Sequence, residues 1–406
     1  MKELFSLGDL YVSDFIKEEE TPRGEKTEMK LIMDEENGLV RLEKSAPLDT
    51  MYGKYWYRSG INNIMKAELE SIVKSVLSII NMKDGDLWVD IACNDGTLLS
   101  FVPGNIIRVG IDPVDDSYKA DSEKHADLII QDYFTAEGFK KCKFSNLKAK
   151  VVTSIAMFYD LEEPEKFIND ISEILDDNGL WILQLSYTPL MLKQLAFDNI
   201  CHEHIYYYSL FNIKKMFKKC GIDIMDVKLN DINGGSFRIY CMKENTDKSK
   251  FMTRPYRDVC DFRINSLLEY EKTLNLDKEE TWKEYFNKIN KLKEETVSFI
   301  KKEKANGKKI WGYGASTKGN TLLQYFGLDN TLIDGIAERS PYKYGLKTVG
   351  TNIPICSEED MRKENPDYLL ILPWHFINEF IDREHDFLQK GGKFIVPCPV
   401  FEIIGK

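Results

Sequence analysis

The segment FDNICHEHIYYYS, residues 197–209, concentrates side chains that could bind a metal or move a proton. His202 and His204 flank Glu203, and Cys201 precedes them. Histidine is the natural general base near neutral pH. Two histidines so spaced can also chelate zinc, but a catalytic zinc takes three protein ligands, often including an H-E-x-x-H pair on a helix. The residues alone leave a general base, a metal site and buried structural side chains open, with the metal site least favoured.

A second polar group follows the predicted strand LWVDIAC, residues 87–93, and opens a predicted helix. It combines one glycine with acidic and amide side chains, in the positions Asp90, Ala92, Asn94, Asp95 and Gly96. A dinucleotide-binding loop needs three glycines so that a pyrophosphate can approach the helix N-terminus. Carboxylates would repel a pyrophosphate, whereas they suit a cofactor with a cationic centre and no phosphate. The loop therefore predicts binding of S-adenosylmethionine, whose sulfonium is positively charged.

Polar residues recur at the ends of the next predicted strands. Asp112 ends the second strand, 22 residues after Asp90, where a carboxylate can accept both ribose hydroxyls. The third strand is followed by residues that could bind adenine through a hydrogen bond and stacking, namely Asp132, Tyr133 and Phe134. Ser154 lies at the end of the fourth strand. The pattern favours the methyl donor over the alternative, a plain α/β domain with polar strand ends.

Another loop of small residues follows the predicted strand KKIW and opens the helix TLLQYF. Its candidate binding residues are Gly312, Gly314, Ser316, Lys318, Gly319 and Asn320. A helix N-terminus and a lysine both attract an anion. Glu338 follows a later strand, where dinucleotide-binding domains place the acidic residue that meets a ribose. Trp374 and His375 end a further strand and could line the same crevice. Taken alone, the loop indicates a dehydrogenase that uses NAD, or a structural turn.

The order of predicted elements indicates the fold class. Buried-type strands alternate with helices, which predicts α/β domains whose parallel sheets carry helices on both faces. The runs IDIMDVKLN and SFRIYCMK predict an antiparallel edge on the first sheet. The predicted division is an N-terminal segment (1–75), a Rossmann-like cofactor domain (76–245), a helical linker (246–308) and a C-terminal Rossmann-like α/β domain (309–406).

Composition narrows the classes of partner. The formal net charge of −11 disfavours nucleic acid as a partner, because phosphate neutralisation supplies most of the affinity of nucleic-acid binders. No run approaches the ~20 apolar residues that cross a bilayer, and the N-terminus lacks the apolar core of a secretion signal. None of the eight cysteines forms a C-x2-C pair. We expect a soluble cytoplasmic protein, a monomer or weak oligomer, that binds neither nucleic acid nor membranes.

Several motifs together resemble one known family, the sugar C-methyltransferases of deoxysugar pathways. They are YGKYWYRSG (52–60), VDIACNDGTLL (89–99), MFYDLEEP (157–164), FDNICHEHIYYYSL (197–210), NGGSFR (233–238), GYGASTKGNTLLQYFG (312–327), SPYKYG (340–345) and LPWHF (372–376). The resemblance implies a class I methyltransferase domain followed by a second Rossmann-like domain. It implies S-adenosylmethionine as cofactor, and a nucleotide-linked keto sugar as the substrate that is methylated on carbon.

The resemblance also implies roles for individual residues. The family's base is the second histidine of a Tyr-His-Glu-His motif, helped by the glutamate, which implies His204 and Glu203 here. Cys201 stands where the family has the tyrosine. A tyrosine of the N-terminal segment lines the family's site, and we choose Tyr57 over Tyr55. The residues expected to bind the sugar nucleotide are His202, Gly234, Gly235, Trp374, Glu338 and the loop at 312–320, which would anchor the nucleoside diphosphate.

This chain departs from the family at its N-terminus. The family carries a zinc-binding segment with four cysteines there, whereas the first cysteine here is Cys93. We therefore expect an N-terminal segment without the metal. Three alternatives remain open, namely methyl transfer to oxygen of a sugar or related small molecule, an NAD-dependent dehydrogenase, and a binding module without catalysis.

Overall fold

The computed structural model describes residues 1–47, 51 and 56–405. The chain forms two compact units. The central unit comprises residues 52–188 and 205–275, and the terminal unit comprises residues 1–51, 189–204 and 276–406. This division differs from the predicted boundaries at 75, 245 and 308. The difference arises because residues 189–204 pack on C-terminal elements, and because each long helix of the predicted linker belongs to one unit.

The regular elements are as follows. The strands are β1 (Lys2–Leu10), β2 (Phe15–Ile16), β3 (Thr27–Met33), β4 (Val40–Leu42), β5 (Leu87–Ile91), β6 (Ile107–Ile111), β7 (Leu128–Ile130), β8 (Ala149–Ile155), β9 (Leu175–Ser186), β10 (Tyr206–Tyr207), β11 (Ile222–Asn230), β12 (Ser236–Lys243), β13 (Ile310–Tyr313), β14 (Ile336–Glu338), β15 (Lys347–Thr348), β16 (Ile355–Ser357), β17 (Tyr368–Ile371), β18 (Lys393–Val396) and β19 (Glu402–Ile404). The helices are α1 (Asn63–Ile79), α2 (Asp116–Ser122), α3 (Ala136–Phe139), α4 (Pro164–Ile174), α5 (Thr188–Lys193), α6 (Leu210–Lys219), α7 (Arg254–Thr273), α8 (Glu279–Ala305), α9 (Thr317–Phe326), α10 (Glu358–Lys363), α11 (Ile377–Arg383) and α12 (His385–Gln389).

The central unit contains a seven-stranded sheet in the order β11-β12-β9-β8-β5-β6-β7. Strands β5 to β9 pair in parallel, and β12 runs antiparallel to both of its neighbours, β9 and β11. This confirms the α/β fold and the antiparallel edge. Because parallel strands share their direction, the carboxyl ends of β5, β6 and β7 lie along one edge, where the predicted cofactor residues follow them.

The core of the central unit explains why α1 forms where it does. Its buried side chains recur three or four residues apart, as in Leu69, Ile72, Val73 and Val76. That spacing places them on one face of a helix, which packs on the sheet around Trp88. The side chain of Asn62 caps the helix by accepting from the backbone N–H groups of residues 64 and 65.

The terminal unit contains a six-stranded sheet in the order β16-β14-β13-β17-β18-β19. Its first five strands pair in parallel, and β19 is antiparallel to β18. The predicted second α/β domain is therefore confirmed. Strand β13 is central and leads through residues 314–316 into α9, so the predicted anion-binding loop lies at the carboxyl edge of this sheet.

The N-terminal segment adds an antiparallel sheet, in which β3 pairs with β1 and β4. Its inward side chains are apolar, and Met29 and Leu31 are fully buried. Phe5 stacks on Phe286 of α8 with ring centroids 4.6 Å apart. Hydrophobic packing thus accounts for the order of this segment. Tyr55 lies outside the described residues.

Two long helices, α7 and α8, occupy residues 246–308, where the sequence predicts a helical linker. Helix α7 belongs to the central unit, where the buried Glu271 accepts hydrogen bonds from the backbone N–H groups of Leu210 and Phe211. These groups open α6, so a carboxylate on one helix caps another. Helix α8 belongs to the terminal unit.

Within the described residues, no helix is long and apolar enough to cross a membrane.

Candidate active site

The acidic loop of the central unit is built as one hydrogen-bonded structure. The backbone N–H of Asn94 donates to Asp112 Oδ2 at 2.7 Å, which joins the ends of β5 and β6. The hydroxyl of Thr153 on β8 donates to Asp90 Oδ1 at 2.6 Å. Asp95 accepts from both the backbone and the hydroxyl of Thr97. The structure therefore brings together, at one edge of the sheet, the carboxylates that the sequence placed at successive strand ends.

The backbone of this loop adopts the left-handed conformation at three residues. Ala92, Asn94 and Gly96 have φ angles of 59°, 53° and 76°. A Cβ added at Gly96 would lie 2.7 Å from the Cα of Ser122, closer than real atoms approach. Glycine is required at this position by its left-handed conformation and by the approach of α2. The loop therefore turns tightly and keeps its polar groups at the strand ends.

Burial controls the charge of this loop. Asp90 is 3% exposed, and burial raises the pKa of its carboxyl to about 7, helped by nearby Asp112 and opposed by the Thr153 hydrogen bond. Burial likewise raises the pKa of Asp112. A cation beside these carboxylates would lower both pKa values and offset the cost of their burial. These carboxylates therefore suit a cationic ligand and would repel a pyrophosphate.

A segment of the central unit, residues 56–61, lies on this loop. The N–H of Ser59 donates to Asn94 Oδ1 at 3.1 Å, and the N–H of Gly60 donates to Asp95 Oδ2 at 2.8 Å. Asn94 Nδ2 returns a hydrogen bond to the carbonyl of Tyr57 at 2.9 Å. Tyr57 is 37% exposed, so its ring can contact a ligand while its backbone holds the loop.

Arg58 anchors the same segment, and the sequence analysis did not select it. Its guanidinium donates to Asp121 at 2.6 Å and to Ser117 at 2.6 Å, and it lies 3.8 Å from the ring centroid of Tyr118. All three partners belong to α2 or its border. The position of Arg58 within the YRSG run was the available signal.

The remaining predicted cofactor residues differ in position. Asp132 and Tyr133 are exposed after β7, where an aromatic ring can stack on a base. The ring of Phe134 instead packs edge-on against Phe167, with centroids 5.4 Å apart. Ser154 is fully buried, and its hydroxyl accepts from the indole of Trp181 at 2.8 Å. Its hydroxyl thus stabilises the sheet, and any cofactor contact by Ser154 would come from its backbone.

Gly234 and Gly235 lie in the turn between β11 and β12. Their φ angles are 82° and 106°, so the turn requires residues without a Cβ. The carbonyl of Gly235 accepts from the backbone N–H of Tyr187 at 3.1 Å. The predicted substrate contact of these glycines stays a prediction, while their part in the hairpin is explained by the backbone.

The His-Glu-His segment belongs to the terminal unit. Phe197 stacks on Phe326 of α9 with ring centroids 5.2 Å apart. The indole of Trp374 donates to Asp198 at 3.1 Å. Asp198 is 1% exposed, and its Oδ1 has no hydrogen-bond partner among the described residues. These contacts attach the segment to the C-terminal α/β sheet, which the predicted domain boundaries did not anticipate.

His204 is held in one tautomer. Its Nδ1 lies 2.8 Å from the carbonyl oxygen of Asn199, and a carbonyl can only accept, so Nδ1 carries the proton. The lone pair is therefore on Nε2. Burial and the nearby ammonium of Lys318 lower the pKa of His204 to about 3, although the Asn199 carbonyl opposes them. The imidazole is neutral at physiological pH, as a base must be before it takes a proton.

Glu203 and Cys201 contact each other beside His204. The thiol of Cys201 hydrogen bonds to the Glu203 carboxyl, and burial raises the pKa of that carboxyl. Glu203 Oε2 is buried without a hydrogen-bond partner in the described part of the chain. A buried, incompletely satisfied carboxylate is available to a further donor. The assisting role of Glu203 stays a prediction.

His202 is buried against the N-terminal strand. It is 2% exposed, and its Nε2 donates to the carbonyl of Leu10 in β1 at 3.1 Å. Burial lowers its pKa to about 4. The side chain thus binds the N-terminal strand inside the terminal unit, and its expected substrate contact stays a prediction.

The C-terminal loop is a capped helix start. The side chain of Ser316 accepts from the N–H of Gly319 at 2.9 Å, and Gly314 has a φ of 83°. A Cβ at Gly319 would lie 2.8 Å from Ser316 Oγ, and one at Gly312 would lie 2.8 Å from Ile336 Cγ1. The small residues are therefore explained by close packing of the loop and sheet.

Two predicted substrate residues of this loop have structural partners. Asn320 is 1% exposed and donates to the carbonyl of Asp14 at 3.0 Å, which fixes the N-terminal segment on α9. Glu338 accepts from the backbone N–H groups of Arg339 and Ser340, and its Oε2 lies 3.7 Å from the ammonium of Lys343. Glu338 is largely satisfied by these contacts, and the expected substrate contacts of Asn320 and Glu338 stay predictions.

Lys318 connects this loop to the His-Glu-His segment. Its ammonium donates to Asn199 Oδ1 at 2.5 Å, on the residue whose carbonyl binds His204. Its charge also lowers the pKa of His375 to about 3, with burial as the larger cause. The structure therefore groups Asn199, His204, Lys318 and His375 within the terminal unit.

Two protein-family models and one related protein match this chain. Residues 62–227 match the model of a methyltransferase domain, and residues 231–399 match the model described as "C-methyltransferase C-terminal domain". The chain is also 28% identical over 367 residues to C-methyltransferase NovU from Streptomyces niveus, covering 90% of this chain and 85% of that protein. The chain therefore combines a methyltransferase domain with the C-terminal domain of C-methyltransferases, and it is a C-methyltransferase. S-adenosylmethionine is the methyl donor of this C-methyltransferase, which agrees with the acidic loop of its central unit.

Solved structures similar to parts of the C-methyltransferase include two methyltransferases. Magnesium protoporphyrin IX methyltransferase from Synechocystis, solved with bound SAH, is 14% identical and covers 47% of this chain and 90% of that one, with a TM-score of 0.36. A methyltransferase dependent on S-adenosylmethionine from Clostridium acetobutylicum is 14% identical and covers 45% of this chain and 92% of that one, with a TM-score of 0.34.

The C-methyltransferase has no group of three potential metal ligands among its described residues.

Proposed function

We propose that this C-methyltransferase methylates a carbon of a nucleotide-linked keto sugar and that His204 is the general base. The observation that carries the proposal is the 2.8 Å hydrogen bond between His204 Nδ1 and the carbonyl of Asn199. That bond leaves the basic lone pair on Nε2 of a neutral imidazole. The base belongs to the same unit as the loop that would bind the nucleotide, which suits a substrate with both a reactive sugar and a diphosphate.

The chemistry requires a base because carbon must become a nucleophile. A proton on the carbon next to a ketone is acidic, since its removal places the charge on the ketone oxygen. Removal by His204 would give an enolate, and general-base catalysis contributes about 10²–10⁴ in rate. The sulfonium of S-adenosylmethionine supplies an electrophilic methyl group. Glu203 precedes His204 in the chain, and the resemblance implies that it assists the base.

The nucleotide end of the substrate is assigned to the C-terminal loop. Helix α9 begins at Thr317 with Ser316 as its cap, and the N-terminus of a helix attracts phosphate. Trp374 and His375 follow β17 at the same edge of the sheet, where ligands of α/β domains bind. We further propose that the protein acts as a monomer or weak oligomer in the cytoplasm, with neither nucleic acid nor membrane as partner.

The test uses a panel of nucleoside-diphosphate 4-keto sugars incubated in deuterated solvent without S-adenosylmethionine. Exchange of the proton next to the ketone, followed by mass spectrometry, measures base catalysis apart from methyl transfer. We expect the wild-type protein to exchange this proton and His204→Gln to lose about 10²-fold or more of the rate. The control is His385→Gln, because His385 is exposed in the same unit.

Two further measurements complete the test. His204→Gln should keep its affinity for S-adenosylhomocysteine, because the acidic loop lies in the central unit. Methylated product from a keto sugar, with S-adenosylmethionine added, would identify the acceptor. Wild-type exchange rates in His204→Gln would remove the base assignment, and no reaction across the panel would remove the keto-sugar assignment.

A further inference from the structure

The ammonium of Lys318 shares a hydrogen-bond partner, Asn199, with the base. It donates to Asn199 Oδ1 at 2.5 Å, and the main-chain oxygen of that asparagine accepts from His204 Nδ1 at 2.8 Å. One residue therefore holds a cation and an imidazole in a fixed relation. A lysine that served only to neutralise phosphate at the start of α9 would not need this connection.

The charges around Lys318 place its ammonium within a cluster. The groups that sense its field are His204, His375 and Asp198, which come from two separate stretches of the terminal unit. Asp198 is 1% exposed with an unpartnered Oδ1 in the described residues, and its other oxygen accepts from Trp374. Asp198 and His204 are buried, so the charge of Lys318 acts on them with reduced screening by water.

The proposed reaction requires a cation or a hydrogen-bond donor near the ketone oxygen of the substrate. When a carbon next to a ketone loses its proton, negative charge develops on the ketone oxygen, and donors aimed at that oxygen are often the largest contribution to rate. Cys201, which replaces the family's tyrosine, hydrogen bonds to Glu203. Its thiol is a weak donor, so another residue must supply the strong interaction.

We propose that Lys318 is a catalytic residue that stabilises the enolate oxygen, and that Asn199 positions it beside His204. This inference rests on the proposed function. The C–H bond breaks, the proton moves to His204 Nε2, and the electron pair forms the C=C bond while the C=O pair moves onto oxygen. Lys318 donates an N–H to that oxygen. The oxygen pair then re-forms the C=O bond while the C=C pair bonds the transferred methyl carbon, whose former bond pair stays on sulfur, and the imidazolium releases its proton to solvent.

Two roles of Lys318, anchoring the diphosphate and stabilising the enolate, predict different changes in KM and kcat. If Lys318 anchored the diphosphate, its loss would weaken binding of the nucleotide and raise KM. If it stabilises the enolate, its loss lowers kcat and the rate of proton exchange at saturating sugar nucleotide. Lys318 also lowers the pKa of His204, so its removal should move the acidic limb of the exchange pH profile to higher pH.

The experiment compares Lys318→Met with the wild-type protein and with Lys390→Met, whose lysine is exposed in the same unit. Thymidine diphosphate binding is measured by calorimetry, and proton exchange is measured on the keto sugar that the panel identifies. We expect Lys318→Met to bind thymidine diphosphate within about threefold of wild type and to exchange about 10²–10³-fold more slowly. Lys390→Met should match wild type in both measurements.

A second variant guards against loss of folding. Lys318→Ala is assayed with added methylammonium, and a rise in exchange rate with amine concentration supports a cation at the enolate. Loss of thymidine diphosphate binding with wild-type exchange at saturation would overturn the inference and leave an anchoring role. Exchange at wild-type rates in both Lys318 variants would also overturn it while the proposed function stands. Absence of exchange in the wild-type protein would instead contradict the proposed function.

Discussion

His204 Nδ1 and the carbonyl oxygen of Asn199 lie 2.8 Å apart, and this contact fixes the tautomer of the histidine. We expect ¹⁵N NMR of the histidine-labelled protein at pH 7 to show a neutral His204 ring with the proton on Nδ1. His204→Gln assigns the signals. The pKa of about 3 predicts that the ring stays neutral down to about pH 4 without substrate. A proton on Nε2 at pH 7 would contradict the structure.

Asp90 makes cofactor binding dependent on pH. Its pKa of about 7 in the folded protein is above the ordinary 3.8, so the folded state binds this proton more tightly than the unfolded chain. This group's contribution to the free energy of unfolding is therefore present below about pH 4 and is lost as pH rises towards 7. The cation of S-adenosylmethionine favours the ionised carboxylate, so affinity should increase between pH 6 and 8, by up to about tenfold.

Calorimetric titration at three pH values checks this prediction, with Asp90→Asn as the comparison. That variant should bind S-adenosylmethionine more weakly and show a smaller increase with pH. It should also be at least as stable as wild type at pH 8 without cofactor, because it buries no charge. An affinity that is constant with pH in the wild-type protein would show that Asp90 does not ionise in this range.

Gly96→Ala should destabilise the central unit. The substitution places a Cβ 2.7 Å from the Cα of Ser122, at a residue whose φ is 76°. Strain at such a position costs about 1–3 kcal/mol, and the steric conflict with backbone adds to it. Gly104→Ala is the matched control, since a Cβ there meets no atom within 4 Å and its φ is not positive. Equal free energies of unfolding for the two variants would contradict the loop geometry.

Arg58→Met should weaken cofactor binding. Arg58 joins the segment 56–61 to α2, and that segment hydrogen bonds to Asn94 and Asp95 in the cofactor loop. We expect about tenfold weaker binding of S-adenosylhomocysteine, because ordering the loop would then use part of the binding energy. Arg108→Met is the control, since Arg108 pairs with Asp127 elsewhere in this unit. Equal affinities in both variants would remove the proposed role of Arg58.

Metal chelation should leave the N-terminal segment folded. Its sheet is organised by buried apolar side chains and by the stacking of Phe5 on Phe286. We expect the unfolding temperature to stay within about 2 °C after treatment with EDTA, whereas Phe5→Ala should cost about 3–5 kcal/mol of stability. A large fall in the unfolding temperature with EDTA would indicate that a bound metal supports the fold.

Much of the fold could be predicted from the sequence because it depends on local patterns. The run LWVDIAC became β5 and the predicted helix TLLQYF became part of α9, since burial periodicity and caps are properties of short segments. The hairpin of β11 and β12 was also evident from its two alternating runs. The loop at Asp90 could be assigned to a cationic cofactor because charge and the number of glycines are readable from the sequence.

The partners of individual side chains could not be predicted. His202 and His204 are two residues apart, yet one binds the carbonyl of Leu10 and the other that of Asn199. Nothing in the spacing distinguishes them, because each partner is set by how the chain returns through the unit. Arg58 and Glu271 were missed for the same reason, since their partners lie 63 and 61 residues away.

The sequence by itself determined the chemistry available to this protein: an acidic loop for a cationic methyl donor, a histidine able to act as a base, and a second loop with a lysine. Tertiary structure alone decided their grouping. It assigned residues 189–204 to the terminal unit and connected Lys318 to Asn199 across 119 positions. The physical reason is that strand order and burial are set by packing over the whole chain, whereas charge, glycine content and periodicity are set locally.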